Sequence, residues 1–246
     1  MQTTTHTTSR SNQGLVILGL VMSVSLFFSC AAKSKEEPVL DGRVFTVLTI
    51  PDGNSAEAAM ERISFTNGKF DNDNCHLWGF GDGAYAAKEA GDSITFTATT
   101  TSAKEGTMTW TGVIKGTTLM GTMVWSKEGQ SDLNYHFTSA NIEEVDLNGI
   151  SFAVQFNDGD TAQAETITFN NGMFESPGCY TYGFSASPYQ AYMLDGKQHF
   201  QCLYTSAKEG KMLFYGVIDG TSISGTQFWT KEGQDDVYYK MAGQKL

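Results

Sequence analysis

Apolar and polar residues alternate with a period of two from residue 42 onward, and the alternation breaks repeatedly at Gly and Asn. No stretch of this part carries a convincing helical period. The pattern predicts strands near 42–50, 59–66, 69–72, 83–88, 93–101, 107–115, 118–127 and 132–138, and the same succession begins again at residue 147. Asn67-Gly68 and Asn171-Gly172 each separate two strand signals, and an Asn-Gly pair favours a two-residue hairpin because both central residues must take positive φ. Phe65 should then face Phe70. Gly116-Thr117 and Gly220-Thr221 place Gly first in a two-residue loop, the type II′ choice. That turn sets a register in which Gly112 opposes Gly121, Trp110 opposes Met123 and Met108 opposes Trp125, with Gly216 opposite Gly225 in the second half.

The halves are copies. Ser102-Ala103-Lys104-Glu105-Gly106 returns unchanged as Ser206-Ala207-Lys208-Glu209-Gly210, and pairing Ile63–Ser139 with the residues 104 positions later gives 32 identities in 77 without a gap. Eight short sequential strands per copy, joined by tight turns, suit an all-β architecture of two tandem up-and-down antiparallel barrels, since closure removes exposed strand edges. A β-sandwich per repeat is the alternative. The organisation expected is a lipoprotein signal peptide over 1–29, a lipidated Cys and flexible tether over 30–39, a barrel over 40–141, a linker over 142–146 and a second barrel over 147–246.

The recurring pattern F-x-N-G-x-F, a lone Cys, G-F, Tyr, Phe, S-x-x-x-G, G-T and Trp resembles uncharacterised bacterial secreted lipoproteins with lipocalin-like barrels. The resemblance covers nearly all of both copies, and because its motifs are turn and core residues it implies a fold and no activity.

The front of the chain gives an address. A run from Gly14 to Phe28 with few polar residues stops at Ser29-Cys30, too short for the ~20 residues of a spanning helix but suited to a secretory signal. Phe27-Phe28-Ser29-Cys30 resembles a bacterial lipobox, which implies diacylglyceryl modification of Cys30. The formal net charge is −11, and losing the leader removes Arg10. Such a field repels nucleic acid and anionic head groups, so membrane attachment would rest on acyl chains.

Candidate chemistry is filtered by the duplication, because a residue needed in both copies should recur. Histidine does not, and no metal-binding, nucleophile-elbow or phosphate-loop motif occurs. The recurring acids Glu61/Glu165, Glu105/Glu209, Glu128/Glu232 and Asp132/Asp236 fall mostly in or beside turns and read as solvated loop acids, with Lys-Glu-Gly as a hairpin-loop signature. Cys75, Cys179 and Cys202 allow a Cys179–Cys202 bridge, a Cys75–Cys179 link or three buried thiols. Alternation points Phe96, Trp110 and Trp125, with their counterparts Phe200, Phe214 and Trp229, into the barrels, where they are candidates to contact an apolar ligand.

These readings lead to a bacterial cell-envelope lipoprotein, periplasmic or surface-exposed, that works by binding and not by catalysis. Its expected partner is a small apolar molecule or another envelope protein, with no cofactor, metal or nucleic acid. A structural or interaction module without ligand ranks second, and a hydrolase using turn carboxylates third.

Overall fold

The computed structural model describes residues 39–159 and 161–246; the leader, Cys30 and the tether up to residue 38 lie outside the described residues. The first barrel comprises β1 (Val44–Pro51), β2 (Ala59–Thr66), β3 (Lys69–Asn72), β4 (Gly83–Ala90), β5 (Ser93–Ser102), β6 (Gly106–Lys115), β7 (Thr118–Ser126) and β8 (Leu133–Thr138). It is antiparallel throughout and closes through β1 and β8. The joining segment supplies β9 (Glu143–Glu144). The second barrel follows as β10 (Ile150–Asn157), β11 (Ala162–Asn170), β12 (Met173–Glu175), β13 (Ser187–Leu194), β14 (Lys197–Ser206), β15 (Gly210–Asp219), β16 (Ser222–Thr230) and β17 (Val237–Lys245). Pairing of β12 with β13 and of β10 with β17 closes it, while β9 adds to the far end of β13 at Tyr192–Met193.

The turns take the expected forms. Asn67 and Asn171 have φ of 54° and 51°, each followed by a Gly at 74°. Gly112 pairs with Gly121, Trp110 with Met123, Met108 with Trp125 and Gly216 with Gly225. The glycine pairs have a specific purpose. A Cβ on Gly112 would come within 2.3 Å of the Phe96 ring, and one on Gly216 within 2.1 Å of Phe200, so each glycine makes room for its cross-strand phenylalanine to lie across the barrel interior.

Each interior is a packed aromatic column. Phe65 meets Phe96 edge-on at 5.0 Å and Phe70 meets Trp110 at 5.0 Å; in the second barrel Phe169–Phe200 and Phe174–Phe214 are each 4.9 Å. Where one copy enlarges a residue the other shrinks a neighbour. Trp110 donates its indole N–H to Thr100, whereas the counterparts are Phe214 and Tyr204, whose hydroxyl donates to the Phe174 carbonyl at 2.7 Å.

The barrels share a buried interface. Leu48, Ile50, Ala58 and Met60 face outward from the first and cluster with Tyr192 of the second. Gln201 reads the backbone of Met60 in both directions, accepting from its N–H at 2.8 Å and donating to its carbonyl at 2.6 Å, and Tyr192 donates to the Ala58 carbonyl at 2.6 Å. Phe228 stacks on Trp78 at 4.2 Å, and Lys104 pairs with Asp236 at 2.6 Å.

Two measurements check this packing. Gly112→Ala should cost about 1–3 kcal/mol in denaturant unfolding through overpacking against Phe96, whereas Thr111→Ala on the exposed face should lie within about 0.5 kcal/mol of the parent. Gln201→Leu removes the acceptor of the Met60 amide and leaves the Met60 carbonyl only the longer bond from Asn74 at 3.4 Å, and should cost about 1–3 kcal/mol, with unfolding of the tandem losing cooperativity if the barrels uncouple.

Candidate functional site

The end of each barrel away from its Asn-Gly turn is closed by a short 3-10 turn, Asn74–Trp78 in the first and Pro177–Tyr182 in the second, each stopped by a left-handed glycine, Gly79 or Gly183. The repeated Ser-Ala-Lys-Glu-Gly segment holds that turn in place. Ser102 donates to the Trp78 carbonyl at 2.9 Å and accepts the Glu105 N–H at 3.1 Å. Trp125 donates its indole N–H to the Glu105 carbonyl at 2.5 Å, and Lys127 from the next loop reaches the Glu105 carboxylate at 2.8 Å. The second barrel repeats the set with Ser206, Glu209, Trp229 and Lys231.

This corrects the reading of Glu105 and Glu209 as solvated loop acids: both residues are only 8% exposed and clamp two loops together. Lys231 and then Lys208 hold the Glu209 carboxyl below its ordinary range. Glu128, Glu232 and Asp132 are exposed, while Asp236 is half-buried beneath Lys104. Burial works against the Asp236 charge, yet the hydrogen bond and charge of Lys104 bring its pKa below the usual value.

Glu61 and Glu165 depart further from expectation, because they sit on β2 and β11 in the inward-facing phase of Ile63 and Ile167. Glu61 accepts from Thr49 and Asn72, both at 2.7 Å, and burial pushes its carboxyl up despite those bonds. Glu165 accepts from the Ser176 hydroxyl and from the Gly178 N–H at 2.7 Å. Ser176 occupies the place of Asn72, but Phe156 replaces Thr49, so the second carboxylate has one donor fewer from the strands.

The three cysteines are buried free thiols, so the candidate Cys179–Cys202 bridge is not made. Cys75 and Cys179 point to the thioethers of Met108 and Met212 at 3.6 and 3.5 Å, and Cys202 to the Ser187 carbonyl at 3.5 Å. Burial raises all three, Cys179 to about 11. Such thiols are poor nucleophiles.

The six aromatic candidates divide. Phe96, Trp110, Phe200 and Phe214 are fully packed in the interiors at 0–2% exposure. Trp125 and Trp229 lie at the barrel ends instead. Trp229 lines a cavity of about 130 Å³ with Phe156, Glu165, Gln227, Tyr239 and Tyr182, the last 51% exposed at its rim. Glu165 has no ion-pair partner among the described residues. Sequence reasoning missed Glu165 and Tyr239 as a pair, although both recur (Glu61, Tyr135) and both lie in the inward phase of their strands.

A wide groove on the outside of the first barrel brings Asp71 against His76 at 2.6 Å, with Ser64 and Thr66 on the same wall. Among the described residues neither hydroxyl is hydrogen-bonded to His76.

No family model matches the chain, and no curated protein matches it. Among solved structures the chain is similar to one described as a "putative outer membrane protein" from Bacteroides fragilis, at 9% identity and a TM-score of 0.25, over 83% of this chain and 97% of that one.

Glu61 gives a pH test. Its folded-state pKa lies above the ordinary value of about 4.3, so its contribution to stability is fully present below pH ~4 and is lost as pH rises through the folded pKa. Glu61→Gln should therefore gain stability relative to the parent as pH increases from 4 to 7, seen in urea midpoints; a gap independent of pH would mean that Glu61 is not buried as a carboxylate.

Proposed function

We propose that this protein is a membrane-anchored lipoprotein of the bacterial cell envelope that acts by binding, and that its binding element is the solvent-open end of the second barrel. The address rests on the apolar run ending at Ser29-Cys30 and the polar segment behind it. The binding reading rests on one observation: a ring-sized cavity, walled by Phe156, Trp229 and Tyr239 and containing the Glu165 carboxylate, remains at the end of an otherwise packed barrel. An engineered apolar cavity of about 150 Å³ holds benzene, so the group accommodated here is one ring or a short aliphatic tip, not a whole lipid.

A surface-interaction module is the second reading. It is favoured by Tyr180, Tyr182 and Tyr238, which are 41%, 51% and 55% exposed.

Two experiments test the proposal. Cys30→Ala should abolish palmitate labelling and release the chain from membranes. In the full-length protein, ring-sized apolar probes such as toluene and indole should shift the tryptophan emission, and Trp229→Leu should remove the shift while Trp125→Leu leaves it. Absence of any probe binding at millimolar concentration would leave only the outer surface as the working part.

A further inference from the structure

The two barrel ends are built from the same residues but have different surroundings. Glu61, Cys75, Phe80, Met108, Trp125 and Tyr135 of the first correspond to Glu165, Cys179, Phe184, Met212, Trp229 and Tyr239 of the second, each 104 positions later. At the first barrel this end lies against the second barrel. Tyr215 is on the outward face of β15, directly beside Gln201 in the sheet. Gln201 is clamped to Met60 at the start of β2, and Phe228, whose cross-strand partner Leu213 is two residues before Tyr215, stacks on Trp78. The register thus brings Tyr215 against the first barrel next to the start of β2. Its setting agrees: burial pushes its phenol well above the ordinary value, and Glu61, Tyr192, Cys75 and Tyr135 are the groups whose charges act on it next. Three of these four belong to the first barrel's end and are the counterparts of Glu165, Cys179 and Tyr239 around the open cavity.

A tyrosine presented by the outer face of a neighbouring β-sheet therefore stands beside this end of the first barrel. Resting on the binding reading above, we propose that the cavity at the end of the second barrel is a socket for a tyrosine side chain projecting from a partner protein, with the Glu165 carboxylate as acceptor for its phenol. The size of about 130 Å³ suits one ring. Glu165 accepts two hydrogen bonds, and a carboxylate has room for more. The chain does not offer the matching knob on its own first barrel, where Thr111 stands at the position of Tyr215 and is exposed.

The test uses the full chain with p-cresol, toluene, N-acetyltyrosinamide and N-acetylphenylalaninamide, followed by tryptophan fluorescence and calorimetric stoichiometry. The expected result is one site that prefers p-cresol to toluene and the tyrosine amide to the phenylalanine amide by about tenfold, the worth of one hydrogen bond to a charged acceptor. Glu165→Gln should reduce both preferences while toluene binding persists. Tyr215→Ala should uncover the first barrel's end and raise p-cresol stoichiometry from one to two; if that variant does not fold, the parent and Glu165→Gln comparisons decide alone. Toluene and p-cresol binding equally would overturn the tyrosine assignment and leave the binding reading standing. Exclusion of the amide while p-cresol binds would overturn the side-chain source, and self-association abolished by p-cresol would overturn the foreign partner. Failure of every probe would remove both readings together.

Discussion

The packing of a phenylalanine ring against a bare glycine backbone determines what this molecule can be. In a closed barrel of eight strands the interior admits little more than its own side chains. Here Phe96 over Gly112 and Phe200 over Gly216 turn that limited space into a continuous aromatic column. The contact needs the glycine on one strand and the ring on its partner in register, which is why the Ser-Ala-Lys-Glu-Gly loop that joins these strands matters: a slip of one residue there would move the rings to the outside. Once the axis is filled, ligand chemistry is confined to the ends of the barrels and to their outer faces.

The end segments follow from the same logic. A barrel whose strands stop leaves backbone groups to satisfy, and here Ser102 and Ser206 secure the 3-10 turns while Lys127 and Lys231 neutralise Glu105 and Glu209. Identity of the Ser-Ala-Lys-Glu-Gly segment in both copies is explained by this clasp, in which the serine hydroxyl, the glutamate carbonyl and the glutamate carboxylate each have a separate partner. The glycine ends the loop at φ of 83° and 79°, and a Cβ there would meet the facing carbonyl at 2.3 Å.

Strands, turns and cross-strand register were legible in the sequence because they depend on near neighbours: Asn-Gly pairs, Gly-Thr loops and period-two alternation. The inward direction of Trp110 and Phe96 followed from the alternation along their strands. What depended on distant neighbours was not legible. Glu105 reads as a loop acid until Trp125 and Lys127 are seen beside it, and Glu61 until Thr49 and Asn72 converge on its carboxylate. The interface could have been found from the differences between copies. Thr97, Thr109, Thr111 and Val124 of the first barrel become Gln201, Leu213, Tyr215 and Phe228 in the second, and the replacements form one outward patch on adjacent strands.

That set of replacements also determines how far the assembly can continue. The barrels meet head to tail, the end of one against the side of the next, and a contact between unlike surfaces is free to repeat without closing. Repetition would need a second chain to present on its first barrel the side that the second barrel presents here. The first barrel presents Thr97, Thr109 and Thr111 there instead, all exposed and without the glutamine clamp or the aromatic pair. The contact that joins the two barrels is therefore not offered again by the side of the first barrel. Divergence of one outward face between the two copies places the end of the first barrel against the second and leaves the corresponding end of the second barrel facing solvent, while both aromatic columns beneath are kept intact.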